Sequence, residues 1–130
     1  MSQETVKVME AGLAAVRRGD IDNFLSIAHP EIEFQSLVAE AEGLTFRGHE
    51  GVREWWDSVI RSLAIRPTPD EKIESFRDRG IMRYRITATV EGVEVPQKQW
   101  LAWRVRDGLL IWWASFRTEA EALAAVGLSE

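Results

Sequence analysis

The apolar residues of this chain recur every three to four positions up to "RPTPD" (residues 66–70) and every second position after it. A chain patterned in that way can bury its apolar side chains as helices first and as an antiparallel sheet afterwards. Upstream, Val52, Trp55, Trp56, Val59, Ile60 and Leu63 stand at i, i+3, i+4, i+7, i+8 and i+11, one continuous apolar face of a helix. Both tryptophans therefore point inward, while Arg53, Glu54, Asp57 and Arg61 take the solvent side. Val6, Met9, Leu13 and Val16 give a first helix that ends in "RRGD". Asp20 caps a short second helix, "IDNFLSIA", which stops at His29-Pro30 because the residue before proline is pushed out of the helical region. A strand, "EIEFQS", follows, and the aperiodic segment from Val38 to Thr45 reads as a loop.

Downstream, Met82, Tyr84, Ile86, Ala88 and Val90 alternate with Arg83, Arg85, Thr87 and Thr89, the pattern of a half-buried antiparallel strand. Strands are predicted over about residues 71–77, 80–90, 96–106 and 109–117, joined at "DRG", "EGVEVP" and "RDG". "TEAEALAAVGLSE" predicts a short terminal helix with Thr118 as cap and Gly127 as stop. Three helices, a strand before the third and a run of strands after it make an α+β domain with helices on one sheet face.

A length of 130 residues fits a single domain, residues 1–130. The absence of cysteine excludes a disulfide framework, a thiolate metal site and a cysteine nucleophile. "MSQETVKVME" carries charges where a signal peptide needs an apolar stretch, and no run is long enough to span a bilayer, so a cytoplasmic location without membrane contact is expected. A net charge of -5 works against nucleic-acid binding. The basic cluster "FRDRGIMRYR" is accounted for by alternation, its arginines forming the solvated face. The two histidines have simple structural readings: His29 caps a helix end and His49 lies in the first turn of the third helix. Neither belongs to a set of ligands, so no metal is expected, and no motif calls for a cofactor.

The segments "RRGDIDNFLSIAHPEIEFQS", "TFRGHEGVREWW" and "RVRDGLLIWWASFRTEAEALAAVGL", in this order, resemble the SnoaL-like branch of the nuclear-transport-factor-2-like superfamily. The resemblance covers nearly the whole chain. It implies a cone in which a curved sheet wraps three helices and leaves a cavity at the wide end, with dimerisation through the convex sheet face. The steroid-isomerase relatives use a tyrosine on the first helix, an aspartate base on the first strand and a protonated aspartic acid on the penultimate strand. Anchored on Gly19-Asp20 and on Asp107-Gly108, those positions fall on Gly12, Ser36 and Leu101, which supply neither base nor oxyanion donor. The polyketide-cyclase and epoxide-hydrolase relatives also need inward acids. The inward face of the strands offers Gln97, Gln99, Leu101, Trp103 and Val105, then Ile111, Trp113, Ser115 and Arg117.

The resulting expectation is a small-molecule-binding protein whose aromatic, mostly apolar cavity has no assignable catalytic base. Ser36, Tyr84, Gln97, Gln99, Ser115 and Arg117 are the candidates to orient a ligand by hydrogen bonds. Of the six tryptophans, Trp56 reads as core, and Trp55, Trp103 and Trp113 as core or cavity wall. Trp100, Trp112, Ala114 and Phe116 have the opposite parity and form an apolar patch on the convex face, the expected homodimer surface. Two alternatives stand beside this reading. One is an acid-base enzyme of the cyclase, isomerase or hydrolase type on a small hydrophobic substrate, drawing its acid from the loop residues Glu40 or Glu42. The other is a dimerisation or partner-binding module with a closed cavity.

Overall fold

The computed structural model describes residues 2–35, 45–61, 64 and 66–127. The first helix, α1 (Ser2–Arg18), buries Met9, Leu13 and Val16. It ends where Gly19 takes a left-handed φ of 69° and its N–H donates to the Val16 carbonyl. The carboxylate of Asp20 then accepts from the Asn23 N–H and starts α2 (Ile21–Ile27).

The first strand, β1 (Ala28–Gln35), begins at Ala28 rather than at Glu31 as the sequence suggests, because Ala28 already pairs in parallel with Leu110. His29 therefore lies in a strand, where its Nδ1 accepts from the Glu31 N–H. Phe46–Arg47 form a two-residue strand, β2, antiparallel to β1. The third helix, α3 (Gly48–Trp55), continues as a wider π-helical turn over Trp56–Arg61. Of its predicted stripe, Val52, Trp55, Trp56, Val59 and Ile60 all face inward, and Leu63 lies outside the described residues. His49 is half-buried, and its Nε2 lies 2.9 Å from the Ala28 carbonyl, tying the start of α3 to β1.

Four strands follow: β3 (Arg66–Phe76), β4 (Arg79–Val90), β5 (Val93–Arg106) and β6 (Leu109–Phe116). Two of the connections are tight two-residue turns with positive φ at both positions, Glu91-Gly92 and Asp107-Gly108. The first is thus far shorter than the predicted "EGVEVP". Pro96 sits inside β5 opposite Thr87, beyond the last β6 pairing at Trp100–Phe116, where β5 has a neighbour on one side only. β3 likewise starts at Arg66, not near residue 71, since an edge strand accommodates Pro67 and Pro69.

The six strands form one curved, unclosed sheet in the order β2-β1-β6-β5-β4-β3. Its concave face packs against α1, α2 and α3 through a core that includes Phe24, Ile32, Phe34, Trp56, Met82 and Trp103. A last helix, α4 (Glu119–Ala125), capped by Thr118, returns over the opposite face. There Ala122 and Val126 pack with Ile81 and Ala102, and Trp100, Trp112 and Phe116 lie half-buried around them. Arg79 and Arg104 donate to the carbonyls of Val126 and Ala125 and hold the end of α4 down. The convex patch is thus partly covered by the chain's own terminal helix, with Ala114 buried, and is not an open surface. Among the described residues no helix is long and apolar enough to cross a membrane.

Candidate functional site

A cavity lies between the three inner helices and the concave face of the sheet. The centre of a water molecule can move through about 70 Å³ of it, several times the space a single water needs. Its walls are mostly apolar. Met9, Gly12, Leu13 and Val16 of α1 form one side, Phe24 of α2 and Trp55, Val59 and Ile60 of α3 a second, and β3 to β6 the floor.

Aromatic rings in and behind the cavity wall form a continuous assembly, Phe34 and Phe46 lying behind it. Phe34 stacks on Trp113 with centroids 5.0 Å apart and on Phe46 at 5.2 Å, and Trp55 meets Trp113 at 5.3 Å and Phe24 at 5.6 Å. Such offset and edge contacts each add on the order of 1 kcal/mol beyond area burial. Trp56, immediately after Trp55, lies at 85° to it in the packed core and does not line the cavity. The indole N–H groups of Trp55 and Trp113 are buried and have no acceptor among the described residues.

One polar cluster interrupts the apolar floor. Register places Tyr84 of β4 opposite Gln99 of β5, and Leu101 of β5 opposite Ser115 of β6, so three adjacent strands bring three polar side chains together. The Tyr84 hydroxyl donates to Gln99 Oε1 at 2.8 Å and lies 2.9 Å from Ser115 Oγ. With the single phenolic proton given to Gln99, the Ser115 hydroxyl is the donor to Tyr84. Gln99 Nε2 extends the chain to Gln97 Oε1 at 3.2 Å. Burial pushes the Tyr84 phenol up to about 12, against a smaller lowering by the Ser115 hydrogen bond, so Tyr84 is a neutral hydrogen-bonding group at ordinary pH.

Of the residues singled out from sequence, Trp55, Tyr84, Gln99, Trp113 and Ser115 line this cavity. Three others do not. Trp103 has the inward parity but sits at the closed end, where its ring lies over Gly80 and its Nε1 donates to the Thr5 carbonyl of α1. Gln97 is exposed beyond the cavity and reaches it only through Gln99. Arg117 follows the last residue of β6 and is exposed, away from the lining. Ser36 and the loop acids Glu40 and Glu42 lie outside the described residues. Gly12 and Leu101, at two of the positions where isomerase relatives carry acid-base groups, both border the cavity. Sequence reasoning missed Phe24, whose place on a seven-residue helix gives too short a stripe to read. It also placed Ile111 inward, whereas a bulge after Arg104 leaves Ile111 unpaired and turns Leu110 to the cavity. No group of three His, Asp or Glu among the described residues could hold a metal ion.

The model of the SnoaL-like domain matches residues 9–113. The chain belongs to the SnoaL-like family. None of the curated proteins matches it. Among solved structures, this SnoaL-like chain is similar to TerC co-crystallised with polyporic acid, at 25% identity over 96% of this chain and 97% of TerC, with a TM-score of 0.77. RV0760c from Mycobacterium tuberculosis, in complex with estradiol-17beta-hemisuccinate, is 16% identical over 92% of this chain and 96% of that one, with a TM-score of 0.78. An NTF2-like protein of unknown function from Burkholderia pseudomallei is 21% identical over 95% and 97% of the two chains, with a TM-score of 0.76. These likenesses show the NTF2-like fold, α+β with a curved, unclosed sheet.

Proposed function

We propose that this SnoaL-like chain binds a small, mostly apolar molecule in the cavity between its helices and the sheet. The observation that carries the reading is the lining itself: aromatic and aliphatic walls around one buried Tyr84–Gln99–Ser115 cluster. Apolar walls supply affinity that depends little on shape, and a few fixed polar groups orient the guest. TerC and RV0760c, which share the fold, were crystallised with small organic molecules. Trp55, Trp113, Tyr84, Gln99 and Ser115 are the proposed contacts. Tyr84, held neutral, acts as an orienting group rather than as a base. We further propose a single cytoplasmic domain that pairs with a second copy through the half-buried Trp100, Trp112 and Phe116 beside α4.

Titration of tryptophan fluorescence with naphthalene tests the binding reading, because two lining residues are indoles. Quenching with micromolar affinity, about 8 kcal/mol, and recovery of the probe unchanged is the expected result. Conversion of the bound molecule would replace the binding reading with acid-base catalysis. A flat titration, with smaller probes as well, would leave the closed module.

A further inference from the structure

The three-residue cluster on the floor satisfies its own hydrogen bonds, but two indoles of the same lining do not. Trp55 and Trp113 are 5% and 6% exposed, their rings touch, both line the cavity, and neither N–H has an acceptor among the described residues. An indole N–H can only donate, so a buried one without an acceptor is a standing cost that a guest oxygen would remove. We propose that Trp55 and Trp113 form a two-donor seat for one neutral carbonyl oxygen, so that the ligand class of this cavity is an apolar, ring-bearing ketone, aldehyde or quinone. This rests on the reading that the cavity binds a small molecule.

The choice of a neutral oxygen over a carboxylate follows from the rest of the lining. No described lining residue is a lysine, arginine or histidine, and two neutral indoles do not repay the desolvation of a full negative charge. Burial in the same lining raises the Tyr84 phenol, the direction in which desolvation disfavours a charged oxygen. The carbonyl has two lone pairs, matching two donors from adjacent rings. Two residues along β6 from Trp113, Ser115 spends its proton on Tyr84 and keeps lone pairs free, so a hydroxyl on the same guest finds an acceptor there.

Three probes of similar size separate the possibilities: acetophenone, ethylbenzene and benzoate, titrated into the full chain and followed by the six indole N–H resonances in nitrogen-correlated spectra. Acetophenone is expected to bind about tenfold more tightly than ethylbenzene, the factor that one to two net hydrogen bonds supply, and more tightly than benzoate. It should move two indole N–H signals downfield where ethylbenzene does not. Trp55→Phe and Trp113→Phe should each shrink the ratio of acetophenone to ethylbenzene affinity, each variant serving as its own control for the wall surface it loses, and should remove one of the two downfield shifts. Equal affinities for acetophenone and ethylbenzene, with no downfield shift, overturn the seat while the apolar cavity stands. Tighter binding of benzoate overturns the neutral class. A preference for acetophenone that survives both substitutions assigns the carbonyl elsewhere and also overturns the seat. If none of the probes binds, the seat and the binding reading fall together. Should either variant fail to fold, the difference between probes in the unmodified chain decides.

Discussion

A methyl group built on Gly80 would stand 2.7 Å from the Trp103 ring and 2.9 Å from the Glu74 carbonyl, closer than carbon atoms approach in folded proteins. The glycine thus makes the slot in which its cross-strand partner lies, and that indole in turn holds the start of α1 through the Thr5 carbonyl. Gly80→Ala should therefore cost about 1 to 3 kcal/mol by overpacking, read from the midpoint of chemical denaturation. An unchanged midpoint would show that the indole can move aside. Tyr84 makes a second prediction at this scale, through pH. Its phenol titrates at about 12 in the folded chain against 10 ordinarily, so below pH 10 it is protonated in both states and adds no pH dependence. Above that, the unfolded chain loses its proton first, and stability should fall as pH rises from about 10 to 12 by roughly 2 to 3 kcal/mol. Tyr84→Phe should remove that slope and also cost about 1 kcal/mol at neutral pH, since Gln99 and Ser115 lose a shared partner. A variant whose alkaline slope matched the parent would place the burial of this phenol in doubt.

The third helix divides its two adjacent tryptophans between different jobs. Trp56, in the π-helical turn, is 1% exposed in the packed core, whereas Trp55 borders the cavity. Truncating Trp56 to alanine should cost about 3 to 5 kcal/mol, and the same change at Trp55 less, because part of the space it leaves adjoins an existing void. Denaturation of the two variants ranks them, and equal losses would refute the division. This helix also shows what a sequence can and cannot say. Its stripe from Val52 to Ile60 was legible because every residue of it faces the core, and so was the β4 alternation that put Met82, Tyr84 and Ile86 inside. Depth along a strand was not. Trp103, Trp113 and Gln97 share an inward parity, but where α1 and α3 cross the sheet decides that one is sealed in, one lines the cavity and one lies outside. Parity itself failed at Ile111, because a bulge has no signature in the pattern of side chains. The early starts of β1 and β3 were hidden by prolines that a strand tolerates only at positions that its neighbours determine.

For the whole molecule, the terminal helix leaves a rim of indole and phenyl surface on the convex side. Trp112→Glu puts a charge within that rim and should convert the proposed dimer to monomer in sedimentation at micromolar concentration, with little change in the cavity. A dimer that persists would move the interface elsewhere. Routes to self-association are further restricted by the borders of the sheet. At one border stands β2, two residues long, and at the other β3, whose first four residues include Pro67 and Pro69. A two-residue strand offers too short a template for an incoming chain, and a proline contributes no donor to a new ladder. Both features make strand-by-strand addition at these borders less favourable. Copies of this chain can therefore crowd together with less risk of their sheets fusing, which suits a protein that carries part of its aromatic load as half-buried rings on the convex side.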